Sequence, residues 1–341
     1  MRESNRRVLA EQFRNAVMEA GGAQIRIKRS GRAHAAPNSD GFLHVLATPA
    51  AYPAVRSRVQ QEADKAHLDL GVSSSPGGSG LEAATLTVMQ PSGQHVLQIE
   101  LRQVPRLLRA AIVIDDMGNS LETAHRLMAL DYPLTFSVLP SLPYSRQTAE
   151  EAHRRGLEVM LHLPMEAEPG TRVSPGEGAI RVGMNAATVR KVILNDLAAV
   201  PFTAGVNNHM GSRATQDTPL MAKVMEILAA HHLYFIDSRT TPATVALDVA
   251  RRRGLPAFYR TVFLDDAETV PYTLGQLREF RHAVEQQGVA LAIGHPHSTT
   301  ITALEKFLPE LERADIELVA PSQIVRLPEA ATLHPPASPG K

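Results

Sequence analysis

The chain has 341 residues, long enough for more than one average domain and for a sizeable buried core. Its 35 Lys+Arg balance its 35 Asp+Glu, so the overall charge carries neither a nucleic-acid footprint nor a membrane-surface patch, and function must come from local sites. With no cysteine, disulfides, thiol catalysis and cysteine-ligated zinc are excluded, and any transition-metal site must be built from His, Asp and Glu. In chain order, Met1 to Arg7 is basic, but the following "VLAEQF" is too short and too polar for the apolar core of a secretion signal. No later run approaches the roughly 18 apolar residues of a transmembrane helix, so the chain as written reads as soluble.

A boundary falls near residue 105. Before it, the basic "RIKRSGRAHAAPNSDG" and the low-complexity "GVSSSPGGSG" read as loops or linkers. Between them, "FLHVLATPAAYPAVRSRVQQEADKAHLDL" predicts a short strand and then a helix. "ATLTVMQPSGQHVLQIEL" holds two alternating runs around Pro91-Ser92-Gly93, a hairpin signal. Residues 1–105 are therefore expected to form a small α+β domain with flexible loops, and its scattered His44, His67 and His95 make no catalytic cluster.

From 106 onward, short apolar runs alternate with amphipathic windows. Strands are predicted at 111–115, 134–139, 158–162, 203–208, 233–236, 258–263, 289–294 and 316–320. Helices are predicted at 121–130, 145–155, 186–199, 218–230, 242–253, 274–287 and 301–313. Such repetition implies parallel strands with crossover helices, in an open sheet or a closed barrel, and the length suits a barrel of seven or eight strands. "DDMGNS" after the first strand has neither dinucleotide nor P-loop spacing. Residues 326–341 read as a disordered Pro-rich tail.

Parallel α/β folds build their sites at the C-terminal ends of the strands. Here six of those ends carry acid or imidazole: Asp115-Asp116; His162 and Glu166 in "LHLPMEAE"; Asn207, Asn208 and His209 in "VNNHMGS"; Asp237 in "YFIDSRTT"; Asp265-Asp266; and His295 and His297 in "IGHPHSTT". Two adjacent carboxylates closing an apolar strand repel each other and lose hydration, so the pair asks for a cation or a proton. A helix cap is the plain alternative for them, but Asn119 and Ser120 stand closer to the helix start. Asp237 suits a cap or a catalytic role equally, Asn207, Asn208 and His209 could be turn residues but read better as functional ones after the core run "FTAGV", and Asp265-Asp266 reads as an exposed loop. His295 and His297 bracket Pro296 and would face one way if extended.

Far-apart His and carboxylate groups converging on one mouth point to a divalent ion, zinc first, because catalytic zinc takes three protein ligands and keeps a place for water. Manganese, iron, cobalt or nickel also suit such donors. Metal-assisted hydrolysis follows as the reaction class, with a carboxylate as base and a histidine as acid. Zincin motifs and the G-x-S-x-G elbow are absent from the sequence.

The order "IVIDDMGNS", "LTFSVLP", "EVMLHLPMEA", "VNNHMGSRAT", "YFIDSRT", "LAIGHPH" resembles the divergent polysaccharide deacetylase family, relatives of the NodB-type carbohydrate esterases, over roughly residues 106–325. The resemblance implies a distorted (β/α) barrel of seven or so parallel strands and metal-dependent removal of acetyl groups from glycans such as chitin or peptidoglycan. It implies Asp115 as base, Asp116 and His162 as ligands and His295 as general acid. Glu166 falls where relatives carry a second ligand histidine, and His209 falls where they carry an arginine-proline motif. The shell is then a mixed carboxylate-histidine one or takes its third ligand from His209. Glu166, Asn208, Asp237 and His297 are further site candidates. The expected partner is an acetylated polysaccharide, with no nucleic acid, and the family implies a periplasmic or envelope-associated location. Two other readings stay open: a catalytically weak protein that binds glycan or an envelope partner through the same mouth, and a metal phosphoesterase using Arg213, Arg239 and Arg260 as a cationic cradle.

Overall fold

The computed structural model describes residues 3–28, 41–76, 80–171, 174–176, 178–327 and 332–335, and it divides into two compact units, Met1–Leu107 and Leu108–Lys341. In the first unit the elements run α1 (Glu3–Gly21), β1 (Ile25–Lys28), β2 (Phe42–Ala47), α2 (Tyr52–Lys65), β3 (Asp69–Pro76), β4 (Glu82–Met89) and β5 (His95–Gln103). The sheet order is β1-β2-β5-β4-β3. Both helices pack on β5 and on each other, and the alternation of Ala84, Leu86 and Val88 along β4 turns every second side chain into that core.

Two segments of this unit differ from the sequence expectation. The serine-rich stretch expected to be a loop supplies β3, which pairs residue for residue with β4 from Asp69↔Met89 to Pro76↔Glu82. An edge strand draws its stabilisation from backbone pairing, so its exposed serines need no apolar pattern to belong there. Likewise Arg26 to Lys28 lie in β1, while 29–40 and 77–79 are outside the described residues. Helix α1, absent from the predicted elements, buries Phe13, Ala16 and Val17, and with Leu9 and Ala20 these follow the helical period.

The second unit runs β6 (Leu108–Met117), α3 (Leu121–Met128), β7 (Thr135–Val138), α4 (Ser145–Arg154), β8 (Val159–Met165), α5 (Ala186–Ala199), β9 (Thr203–Met210), α6 (Thr218–Ala230), β10 (Tyr234–Asp237) and α7 (Ala246–Arg252). It continues with β11 (Ala257–Tyr259), β12 (Val262–Phe263), α8 (Val270–Gln287), β13 (Val289–Gly294), α9 (Ser298–Arg313), β14 (Ile316–Leu318) and α10 (Pro321–Ile324). Strand order is β11-β10-β9-β8-β7-β6-β13-β12, all parallel, with β14 added to the start of β6. Near-continuous apolar burial along β6, β8 and β13 is what strands covered on both faces require.

The stretch expected as one strand, 258–263, is two. Its first half pairs with β10, its second half with β13, and the kink between them donates Arg260 N–H to Asp237 O and Thr261 N–H to Leu291 O. One segment thus bonds both ends of the sheet and closes a distorted (β/α) barrel of seven strands. Helix starts carry local caps: Ser120 accepts Thr123 N–H, Asn185 accepts Thr188 N–H and Asp217 accepts Leu220 N–H. Neither Asp115 nor Asp116 is spent on capping α3. Of the segment expected to be a disordered tail, residues 328–331 and 336–341 lie outside the described residues; Leu333 packs partly on the barrel core, and His334 O accepts the Tyr259 hydroxyl at 3.1 Å. Among the described residues no helix is long and apolar enough to cross a membrane.

Candidate metal centre

The β6 backbone explains how two neighbouring acids serve one centre. In a regular strand Asp115 and Asp116 would face opposite ways. Here the β6/β7 register shifts between Ile114 and Met117, and Asp116 is left-handed at φ 54°. A bulge of this kind re-aims a side chain, and both carboxylates reach His162 Nε2, Asp115 Oδ2 at 3.5 Å and Asp116 Oδ1 at 3.3 Å. Gly118 then turns the chain at φ 117°, where an added Cβ would press on Ser145 Oγ at 3.1 Å.

Strands β8 and β9 bring the imidazoles. Their register sets His162 beside Asn207 and Pro164 beside His209. His209 Nδ1 lies 3.1 Å from Asp116 Oδ1 and 3.1 Å from His162 Nε2, so three donor atoms form a nearly equilateral triangle with edges of 3.1 to 3.3 Å. Donors bound to one zinc at about 2.0–2.2 Å in tetrahedral directions stand about 3.3 Å apart. The triangle has the dimensions of one face of such a shell. Asp116 Oδ1 is moreover buried and makes no hydrogen bond, an arrangement that is costly unless a cation satisfies it. Burial alone would raise the Asp116 pKa, but contact with His162 and His209 overrides it and holds the carboxyl well below the usual range. Burial also disfavours a charged His162 ring, yet Asp115 and then Asp116 outweigh it and raise its pKa.

Asp115 is 3% exposed, and burial raises its pKa against the opposing pull of His162, His295 and Asn207. Its Oδ1 accepts from Asn207 Nδ2 at 2.8 Å. Asn207, fully buried, also contacts His162 Nδ1 through Oδ1 at 2.9 Å, accepts the Ser137 hydroxyl at 2.5 Å and donates to Ser238 Oγ at 3.2 Å.

His295 forms a second group. Its ring Nδ1 lies 3.0 Å from Asp265 Oδ1, and Asp265 Oδ2 accepts both the His295 backbone N–H at 2.6 Å and the Thr300 hydroxyl at 2.7 Å. Burial works against the imidazolium, but this hydrogen bond, the charge of Asp115 and that of Asp265 outweigh it and lift the His295 pKa to about 9. Asp265 is held low in return by His295, despite its own burial. One donor atom each of Asp265, His295 and His297 falls within 4.8 Å of the others. The Asp265 carboxylate is nevertheless committed to His295 and Thr300, which makes the group a charge-assisted imidazole-carboxylate pair. His297 stands beside it, 3.6 Å from Glu268.

Several sequence candidates turn out to do other work. Glu166 is not among the three grouped donors: it pairs with Arg213 at 3.1 Å and accepts Val182 N–H at 2.7 Å, which ties the end of β8 to Val182. Glu166→Gln is accordingly expected to leave metal stoichiometry unchanged by elemental analysis while shortening the protease lifetime of the 166–182 loop. Asp237 accepts Arg239 N–H at 2.8 Å, Thr244 Oγ1–H at 2.9 Å and Leu247 N–H at 3.4 Å, which organises the β10–α7 turn and delays α7 beyond its expected start. Asn208 braces the same turn, accepting Ser238 N–H at 2.9 Å and donating to Met210 O at 2.8 Å. Sequence reasoning named Asn207 without separating it from Asn208, and read Asp265 as part of an exposed loop. Strand period gave a signal for the first, since 207 and 209 share a face and 208 does not; Asp265, expected in an exposed loop, is 4% exposed because the Leu264 N–H to Ile293 O bond draws it against β13.

Comparison with known proteins bears on this geometry. The divergent polysaccharide deacetylase profile matches residues 112–325. The chain belongs to the divergent polysaccharide deacetylase family. Its curated relatives include the uncharacterized protein YibQ of Escherichia coli (strain K12), 34% identical over 228 residues, covering 67% of this chain and 70% of that one. A second is an uncharacterized protein of Haemophilus influenzae (strain ATCC 51907 / DSM 11121 / KW20 / Rd), 35% identical over 218 residues, covering 64% and 77%. Among solved structures, uncharacterized protein ATU2773 from Agrobacterium tumefaciens C58 superposes with a TM-score of 0.61 at 23% identity, covering 64% of this chain and 89% of that one. This last likeness is one of fold. For a divergent polysaccharide deacetylase, the matched span takes in every residue of the ligand triangle and of the His295 pair.

Proposed function

We propose that this divergent polysaccharide deacetylase is a metal-dependent hydrolase that removes acetyl groups from an acetylated glycan. The observation that carries the reading is the Asp116–His162–His209 triangle with an acid-base pair on its flanks. Two imidazoles and one carboxylate of that size suit zinc best, and the orphaned Asp116 oxygen fits a bound cation. Such an ion, held by Asp116, His162 and His209, would polarise the acetyl carbonyl and acidify a water.

The remaining chemistry falls to the chain. Asp115 keeps Oδ2 for a proton because Asn207 occupies Oδ1, and burial tunes it upward, toward a useful base. It takes a proton from the attacking water. His295, protonated at neutral pH through Asp265, gives one to the leaving sugar nitrogen or oxygen, releasing acetate. Catalysis is supported over a binding-only role because His209 completes the triangle that Glu166 leaves short. The arginines a phosphoester would need are engaged elsewhere: Arg213 is paired to Glu166, Arg260 is bonded to the carbonyls of Ser238 and Arg239, and the Arg239 guanidinium lies over the Tyr259 ring, 5.9 Å from its centroid. With an acetylated envelope glycan as substrate, the proposed site of action is the periplasm or the cell envelope.

The test is acetate release from acetylated chitooligosaccharides and peptidoglycan fragments by zinc-loaded protein, beside phosphate release from a generic phosphoester. Asp115→Asn should lower acetate release by about 10²–10⁴-fold, the usual worth of a positioned base. No acetate from either glycan by the loaded wild type would defeat the proposal, and phosphate release would replace it.

A further inference from the structure

Asn207 is neutral, contributes no donor to the ligand triangle and lies wholly inside the barrel, yet it touches both halves of the centre. Its amide has two donor hydrogens and two acceptor lone pairs, and all four are used. Nδ2 gives its hydrogens to Asp115 Oδ1 and Ser238 Oγ, and Oδ1 receives from Ser137 Oγ and faces His162 Nδ1. The amide orientation follows from these partners. A flipped side chain would set its oxygen against Asp115 Oδ1, a carboxylate oxygen with no hydrogen to give.

That orientation decides the His162 tautomer. With an amide oxygen at 2.9 Å, Nδ1 must carry the hydrogen, which leaves the Nε2 lone pair directed at Asp116 Oδ1 and His209 Nδ1. The other end of the same amide fixes the rotamer of Asp115 and reserves Oδ2 for proton transfer. Ser137 from β7 and Ser238 beyond β10 hold the amide from either side, so its position is set by three strands at once.

We propose that Asn207 is the positioning residue that couples metal binding to base catalysis, its oxygen presetting His162 as a ligand and its nitrogen presetting Asp115 as the base. The metal half stands on geometry alone; the catalytic half rests on the deacetylase reading above. The two halves of the amide can be separated chemically. Asn207→Asp keeps an acceptor for His162 Nδ1–H and loses the donor to Asp115, while Asn207→Leu, of similar shape, loses both.

The experiment compares zinc affinity of metal-free full-length protein by competition with a chromophoric chelator, His162 tautomer by ¹⁵N NMR, and kcat and KM for acetate release at saturating zinc. Asn207→Leu should bind zinc about 10–100-fold more weakly, the usual cost of an outer-shell change, and should lose the single Nδ1–H tautomer. Asn207→Asp should bind zinc at least as well as wild type and keep the tautomer, while kcat falls about 10–100-fold with KM little changed. Equal zinc loss in both variants, unweakened zinc binding in Asn207→Leu, or an unprotonated Nδ1 in wild type overturns the proposal. Should Asn207→Leu fail to fold, the wild-type tautomer and Asn207→Asp still decide. If wild type releases no acetate, the deacetylase reading fails separately while the zinc and tautomer measurements retain their meaning.

Discussion

Asp116→Asn is expected to abolish retention of a divalent ion: wild type should carry one per chain after dialysis against metal-free buffer, the variant essentially none. The loss should exceed the about 10–100-fold that outer-shell changes cost, because the substitution removes the one anionic donor of the triangle and leaves two imidazoles. Asparagine is the informative replacement. Position 116 is left-handed at φ 54°, a conformation asparagine adopts readily and alanine adopts at a cost of about 1–2 kcal/mol. A fall in metal content in this variant therefore reports coordination rather than backbone strain.

Thermal unfolding supplies an independent reading. A ligand that binds only the folded state stabilises it by about 4 kcal/mol at a thousandfold excess over its dissociation constant. Wild type should show a chelator-sensitive melting temperature and Asp116→Asn should not. His162→Ala and His209→Ala should behave as Asp116→Asn does, whereas Glu166→Gln should track wild type, since Glu166 is held by Arg213 and Val182. Wild-type metal content in Asp116→Asn would remove the centre from the interpretation altogether.

What the sequence made legible followed from how local each signal was. Strand and helix order in the second unit could be read because buried parallel strands write themselves as apolar runs, as in "AIVI" before Asp115 and "VALAIG" before His295. The ends of those strands pointed to the chemistry for the same reason. What stayed hidden was set by partners distant in the chain. The β3 edge is held by β4 backbone groups, Glu166 is claimed by Arg213, which lies 47 residues away, and Asp265 is buried against β13. Asn207 was visible as a polar strand residue but was not separated from Asn208, because the choice depends on which face of β9 looks into the barrel. Only the register against His162 settles that.

The second large effect concerns the proton donor. His295 should titrate near 9 in an NMR measurement on the metal-free protein, as its hydrogen bond to Asp265 overcomes the penalty of burial, with Asp115 and Asp116 adding to it. The imidazolium is thus present below pH about 9 and is lost as pH rises through that value, so the alkaline limb of kcat/KM should fall in the same region. Asp265→Asn removes the leading attraction and should shift both the titration and that limb to lower pH. His295→Asn, with no proton to give, should lose about 10²–10⁴-fold in rate. The sign for stability is the same: a histidine raised in the folded state stabilises it fully below its unfolded pKa, about 6.5, and this contribution fades as pH climbs through about 9. Wild-type melting temperature should therefore decline over that window more steeply than that of Asp265→Asn. An unmoved His295 titration in the variant would mean that the 3.0 Å contact does not hold the proton, and the donor role would have to pass to another group.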